Sequence, residues 1–281
     1  VGCFYKGLTN MSPGVKYYFS ASASNSAGTS WPAGGSLNFT TPTIIPSNYV
    51  STPYIWIANY NCPLGLVGTI ICDNYTLKKL NTLNGSISGT YTVGRVSGDN
   101  SIDVGNVWVT NSTDGTTNNS VTKLDLSGRT LDTYQIQGLP TDVAVDISGN
   151  VWMANSTENT VTNITPSGSV LTTYTVTNPS GIAIDGSGNI WVTNKTDDGT
   201  VTKLDSNGNL IGTYPAGKNP TGIAISASGN VWVANSTENT VTKLSSSGST
   251  IGTYTVGARP YGVAIDTLGN VWITNYNDNT V

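Results

Sequence analysis

Tryptophan recurs along this chain of 281 residues at a nearly fixed spacing, and no other feature restricts the fold as strongly. Trp56, Trp108, Trp152, Trp191, Trp232 and Trp272 head matching segments. The last four intervals are 44, 39, 41 and 40 residues, and the first, 52, contains an insertion between Cys62 and Cys72. Thr-Tyr pairs keep step at Thr90-Tyr91, Thr133-Tyr134, Thr173-Tyr174, Thr213-Tyr214 and Thr253-Tyr254. Within one period, Pro220–Ser226, Ser228–Asn235, Asn239–Leu244 and Ser249–Val256 are short runs rich in β-branched and aromatic residues, separated by Ser, Gly and Asn turns. An antiparallel sheet of four such strands has two faces to bury and nothing of its own to cover them. Neighbouring sheets must stack about an axis, with Trp and the Ile/Val positions filling the space between them. The chain is therefore expected to be all-β, a propeller with four-stranded blades, and its tryptophans to be core residues.

The runs Pro-x-Gly-Ile-Ala-Ile-Asp, Gly-Asn-Val-Trp-Val and Asn-Thr-Val-Thr-Lys-Leu resemble the repeats of NHL-type β-propellers, especially the secreted group similar to streptogramin lyases. The resemblance covers roughly residues 53–281. Its motifs are specific for fold and poor for function, because such propellers serve as binding platforms, sensors and occasional enzymes. In the lyases the activity is understood to need a catalytic histidine and a magnesium site. This chain has no histidine, so lyase chemistry is not expected to carry over.

The first repeat begins at its Trp strand, Tyr54–Asn59, and the last stops after Asn279-Thr280-Val281. The two gaps are complementary. Six blades are expected, with the last one incomplete and the ring closed by strand exchange once a continuation supplies the missing strands. Residues 1–42 break the repeat. Tyr17, Phe19, Ala21 and Ala23 alternate as in a half-buried strand, and Tyr17, four after Pro13, matches the corner tyrosine of a fibronectin type III domain, whose second half the segment resembles. Residues 43–52, with Pro46, read as a linker.

Charged residues make up only 10% of the chain, against about 25% in an average soluble domain. With 12 basic and 16 acidic residues, no basic face exists for nucleic acid. The absence of histidine removes the commonest general base and zinc ligand. No apolar run is long enough to span a membrane. Cys62 and Cys72 are spaced to close a disulfide, and Cys3 is left over. Ten sequons, at Asn10, Asn38, Asn74, Asn84, Asn111, Asn118, Asn155, Asn163, Asn194 and Asn235, read as candidate N-glycosylation sites, although Asn, Ser and Thr are so abundant that such a number arises by chance. Together these features favour an extracellular or cell-surface location.

In a propeller the loops joining second to third strands, and those joining blade to blade, open on one face. Second-to-third loops here carry Asp114, Glu158, Asp197, Asp198, Glu238 and Asp278. They are expected to form an acidic ring, either a low-affinity calcium or cationic-partner surface or simply solvated turns. Asp146, Asp185 and Asp266 precede Gly-Asn turns and read as turn-forming residues, with Ser226 in the same slot. Departures from the repeat are the Cys62 to Cys72 loop and the inter-blade residues Lys218, Arg259 and Tyr261. The inner strands offer mainly Gly, Ile and Ala to the axis. No cofactor is required by this pattern. The expected role is non-enzymatic: binding, adhesion or scaffolding at the cell surface, with a protein, a glycan or another copy as partner. The alternative is a metal-dependent lyase-like or hydrolase-like enzyme acting at the loop face.

Overall fold

The structure is a computed structural model that describes residues 16–19, 37–40, 54–61, 74–81, 86–93, 100–103, 105–112, 119–266 and 268–281. Six antiparallel sheets, each in simple sequence order, and no helix make up the described residues. The first contains β1 (Lys16–Phe19), β2 (Leu37–Thr40), β3 (Tyr54–Asn61), β4 (Asn74–Asn81) and β5 (Ile87–Thr92). The second contains β6 (Asn100–Ile102), β7 (Asn106–Asn111), β8 (Ser120–Asp125) and β9 (Thr130–Gln135). The third contains β10 (Pro140–Val145), β11 (Val151–Asn155), β12 (Thr160–Ile164) and β13 (Val170–Thr175). The fourth contains β14 (Pro179–Ile184), β15 (Ile190–Asn194), β16 (Thr200–Leu204) and β17 (Leu210–Pro215). The fifth contains β18 (Pro220–Ile225), β19 (Val231–Asn235), β20 (Thr240–Leu244) and β21 (Thr250–Thr255), and the last contains β22 (Pro260–Ile265) and β23 (Val271–Asn275).

First strands lie side by side about an axis: β10 packs on β14, β14 on β18 and β18 on β22, with β6 beside β10. The junction between last and first sheets departs from the sequence expectation. β2 pairs with β3 through Asn38 and Ala58, and β1 packs against β22, so two N-terminal strands complete the inner side of the first sheet. A separate type III sandwich is not shown. An alternating strand with one apolar face suits either setting, and alternation alone does not say which sheet the strand joins.

The inner strands β10, β14, β18 and β22 begin with proline, which has no N–H to give its neighbour, and the register shifts by a bulge just after it, between Pro140 and Asp142, for example. The following hairpin is closed by its aspartate. Asp146 accepts the N–H groups of Ser148 and Asn150, both at 2.9 Å, and Gly149 takes φ 82°. The same carboxylate accepts the Trp152 indole N–H at 3.1 Å. Asp103, Asp185 and Asp266 hold Trp108, Trp191 and Trp272 likewise. Four tryptophans fill the seams as expected: Trp152 packs with Ile182, Ile190, Val192 and Leu204 of the next sheet, and Trp56, Trp108, Trp152 and Trp191 are at most 2% exposed, whereas Trp232 is half-buried and Trp272 is 45% exposed.

Candidate functional site at the loop face

Four repeated hydrogen bonds bring the two kinds of loop together on one face. The residue after each Trp strand donates its N–H to the carbonyl just before the inner-strand proline. The pairs are Ser156 to Leu139 (3.0 Å), Lys195 to Asn178 (2.8 Å), Ser236 to Asn219 (3.2 Å) and Tyr276 to Arg259 (2.9 Å). Asn178, Asn219 and Arg259 adopt left-handed φ values of 40°, 51° and 55°. Asparagine tolerates that region because its short amide bonds locally; arginine has no such compensation, so Arg259 is a strained departure. Its N–H is held by Asn239 Oδ1 at 2.8 Å, and its guanidinium lies 4.8 Å from the Tyr276 ring centroid.

Lys195 is half-buried on the same face. Burial, with a further contribution from the Arg259 guanidinium, lowers its ammonium pKa. Neither cation has an ion-pair partner among the described residues. Tyr261 starts the inner side of the last sheet and is 37% exposed, and its carbonyl accepts the Thr221 hydroxyl at 3.0 Å. Arg259 and Tyr261 were legible in the sequence as departures from the repeat; Lys195 and Tyr276 were missed. Comparing the residue after the Trp-strand asparagine across repeats finds Lys195 as the one cation, since Ser112, Ser156 and Ser236 fill that place in three repeats and Tyr60 and Tyr276 in two.

A second omission is Asp142, on β10 where β14, β18 and β22 have Gly181, Gly222 and Gly262. The inner strands are thus not purely Gly, Ile and Ala. Asp142 is 3% exposed, and its carboxylate accepts the N–H groups of Val143 at 2.6 Å and Ile182 at 2.8 Å, tying two sheets together.

The expected acidic residues bond to nearby backbone and side-chain donors rather than turning toward one another. Asp278 accepts the Ala258 N–H at 2.5 Å, Asp197 accepts the Asn219 amide at 3.0 Å, and Glu158 accepts the Thr157 hydroxyl. Glu238 sits so close to Gly217 that a Cβ there would lie 2.4 Å from its Oε2. Asp198 is exposed, and Asp114 lies outside the described residues. Among the described residues no three Asp, Glu or Cys groups converge as a metal ion would require.

The five sequon asparagines whose side chains are described, Asn111, Asn155, Asn163, Asn194 and Asn235, are all at most 5% exposed. The amides of Asn155, Asn194 and Asn235 donate to pairs of threonine hydroxyls on the third strand, and Asn111 does so to Ser120 and Thr122. A glycan on any of these would have to displace that packing, which corrects the sequon reading there. Asn10, Asn84 and Asn118 lie outside the described residues, as do Cys62 and Cys72; Asn38 lies in β2 and Asn74 in β4.

These sheets, loops and seams define the β-propeller class. Residues 88–281 match the virginiamycin B lyase family, and the chain belongs to it. Among solved structures it is similar to virginiamycin B lyase from Staphylococcus aureus, with 14% identity and a TM-score of 0.63, over 92% of this chain and 88% of that one. A catalytically inactive histidine-to-alanine variant of that lyase, solved with quinupristin, matches equally well, covering 93% and 89% at 14% identity. Hydrazine synthase from Kuenenia stuttgartiensis shares the fold too, with a TM-score of 0.68 and 14% identity over 88% of each chain. No curated protein matches in sequence. Membership of a lyase family overturns the expectation of a non-enzymatic protein: the missing histidine excludes one catalytic residue, not catalysis.

Proposed function

We propose that the chain is a six-bladed propeller enzyme of lyase type, working outside the cytoplasm, whose reaction takes place at the loop-face mouth beside Arg259, Lys195 and Tyr261. The observation that carries this reading is the concentration of repeat-breaking residues there, in a chain of the virginiamycin B lyase family. A lyase eliminates. The C–H bond beside a carbonyl breaks, its electron pair forms the C=C bond, and the bond to the leaving heteroatom breaks as that atom takes the pair. Negative charge gathers on the carbonyl oxygen during proton loss, and fixed cations in a half-dry site stabilise it. Arg259 and Lys195 supply that charge, and Tyr261 offers a phenol within the same rim for proton transfer. The magnesium site implied by the family resemblance does not fit the described residues, where two cations stand at the mouth and the carboxylates do not converge. The chemistry therefore falls to side chains.

Quinupristin, the molecule held by the inactive Staphylococcus aureus variant, is the substrate to offer. Elimination within a ring opens it without changing its mass, whereas hydrolysis adds one water, so chromatography with mass spectrometry separates the two. The expected product is a linear isomer, and Arg259→Gln should lower kcat/KM by about a hundredfold. A product heavier by one water would make the enzyme a hydrolase. Untouched quinupristin would take streptogramin-type rings out of its substrate range, and full activity in Arg259→Gln would remove the mouth as the site.

A further inference from the structure

The seam between the third and fourth sheets departs from its neighbours at the loop end. In three other blades the connection entering the sheet presses a glycine against the amide and carboxylate of the loop that follows the Trp strand. Gly138 meets Asn155 and Glu158 in this way, Gly217 meets Asn235 and Glu238, and Gly257 meets Asn275 and Asp278, each too closely for a Cβ. The connection into the fourth sheet has no glycine and is one residue shorter, running from Tyr174 to Pro179 where the others run from Tyr134 to Pro140, Tyr214 to Pro220 and Tyr254 to Pro260. The loop it faces is one residue longer, from Asn194 to Thr200 where the others run from Asn155 to Thr160, Asn235 to Thr240 and Asn275 to Thr280. A cleft of about 300 Å³ lies at that mismatch, with Thr175, Val176 and Thr177 on one side and Asp198, Leu210 and Thr213 among the residues on the other. Asp198 is the counterpart of Glu158 and Glu238, because the carbonyls of the residues that follow, Gly199, Asn159 and Asn239, accept equivalent N–H groups from Ala216, Val176 and Val256. Glu158 accepts a hydroxyl and Asp278 an N–H, whereas Asp198 has no hydrogen-bond or ion-pair partner among the described residues. Thr213 differs from its counterparts too. Thr133 pairs with Thr122 and Thr173 with Thr162, but here Thr202 donates to Asn194 Oδ1 instead, and the Thr213 hydroxyl is left to the cleft.

We propose that this cleft binds a small hydroxylated amine of the amino-sugar kind, its ammonium on Asp198 and its hydroxyls on the threonines. An unengaged carboxylate gives a charge-assisted bond to an ammonium, and threonine hydroxyls, which both donate and accept, suit a ring of hydroxyls on the ligand. Val176 and Leu210 offer apolar surface beside them, and the volume is that of a site for a small molecule. None of Arg259, Lys195 and Tyr261 lines the cleft, so binding there stands or falls independently of the lyase reading.

Titration of the isotope-labelled full chain with glucosamine tests it, followed by NMR at about pH 6, where the sugar's amine is protonated. Saturable shifts of the Val176, Thr177, Asp198 and Gly199 amides are expected. Asp198→Ser should weaken binding about tenfold, since a charge-assisted bond is worth about that much, and Asp198→Glu should retain it. Thr213→Val, which removes one neutral hydrogen bond, should weaken it about fivefold. Glu238→Gln, at the covered counterpart in the fifth sheet, should bind as the parent does. The amide spectrum itself shows whether each variant is folded. Glucose and ethanolamine offer the two halves of the ligand separately to the parent chain, and each should bind at least about tenfold more weakly than glucosamine. Glucose binding as tightly as glucosamine overturns the role of Asp198, and ethanolamine binding as tightly overturns that of the threonines. Absence of saturable shifts with glucosamine, or equal weakening in Glu238→Gln, overturns the cleft as a site.

Discussion

Asp185 lies in a seam where a carboxylate is costly, and its surroundings show why it stays there. Burial pushes its pKa up, yet bonds from the Trp191 indole, the Asn189 amide and two backbone N–H groups more than offset this and leave it below the usual carboxylate value. Lys203 stands 3.7 Å away, lies 4.6 Å over the Trp191 ring centroid, and donates to the Ser246 carbonyl of the next sheet at 2.8 Å. Lys79 and Lys123 make the same reach to Leu126 and Pro166. The recurrence of these lysines was legible as spacing; their partners were not, because each carbonyl belongs to a neighbouring blade some forty residues on. In the fifth sheet Ser226 occupies the aspartate slot, bonding only around its own turn, and Trp232 is more exposed than its buried counterparts. Ser226→Asp should restore the indole bond and a counter-charge for Lys243, raising stability by about 1 kcal/mol. Urea unfolding measures this, and an unchanged midpoint would mean that the indole bond contributes nothing net.

At the scale of strands and hairpins, a tyrosine joins each of four blades to the next: Tyr91, Tyr134, Tyr174 and Tyr214 lie against Gly128, Gly168, Gly208 and Gly248. Tyr214 packs on Trp191, with ring centroids 5.7 Å apart, and its ring covers the hairpin glycine of the next blade, Gly248. That glycine has φ +90°, and a Cβ on it would meet the ring at 2.1 Å. Gly269 has nearly the same φ, +84°, with nothing within 4 Å. Comparing the two therefore separates backbone strain from the seam. Gly269→Ala should cost about 1 kcal/mol from the left-handed backbone alone. Gly248→Ala should cost a further 1–3 kcal/mol or so for the clash. Equal melting losses in the two variants would show that the tyrosine yields freely. Strand order, turns and tryptophan seams were all readable from the repeat, because the glycines and alternating residues that encode them are local. The joining of β1 and β2 to the first sheet was not, since it depends on which partner edge lies nearby. The carboxylates of the second-to-third loops misled for a similar reason: their period is visible in sequence, but not that Asp278, for instance, would turn onto the Ala258 N–H.

For the molecule as a whole, the missing histidine is a statement about pH as much as about catalysis. Repeat-breaking residues spread over some eighty positions, Lys195 to Tyr276, share one face only because the stacked sheets return the same kinds of loop to it. Burial pushes the Asp266 carboxyl up, and bonds from Asn270 and Trp272 more than reverse it. Asp205 and Asp125 are drawn down chiefly by side-chain bonds from Asn209 and Ser127. With Asp185, all four titrate below 3.8, the value they take when unfolded. The stability they contribute is complete above that pH and is lost as pH falls through their folded values, because the unfolded chain then binds protons first. Lys195 acts at the other end: its folded pKa lies below 10.5, so the folded state releases its proton earlier and stability rises with pH as the unfolded value is approached. Between these windows stands no histidine, the side chain that would otherwise titrate near 6.5. Thermal melts at constant ionic strength should accordingly vary by only about 2 °C from pH 5 to pH 8. They should fall steeply below pH 4. A melting temperature that rose several degrees as pH fell from 8 to 5 would instead require a carboxylate whose folded pKa is raised, because the folded chain would then bind the proton first, and would overturn this reading.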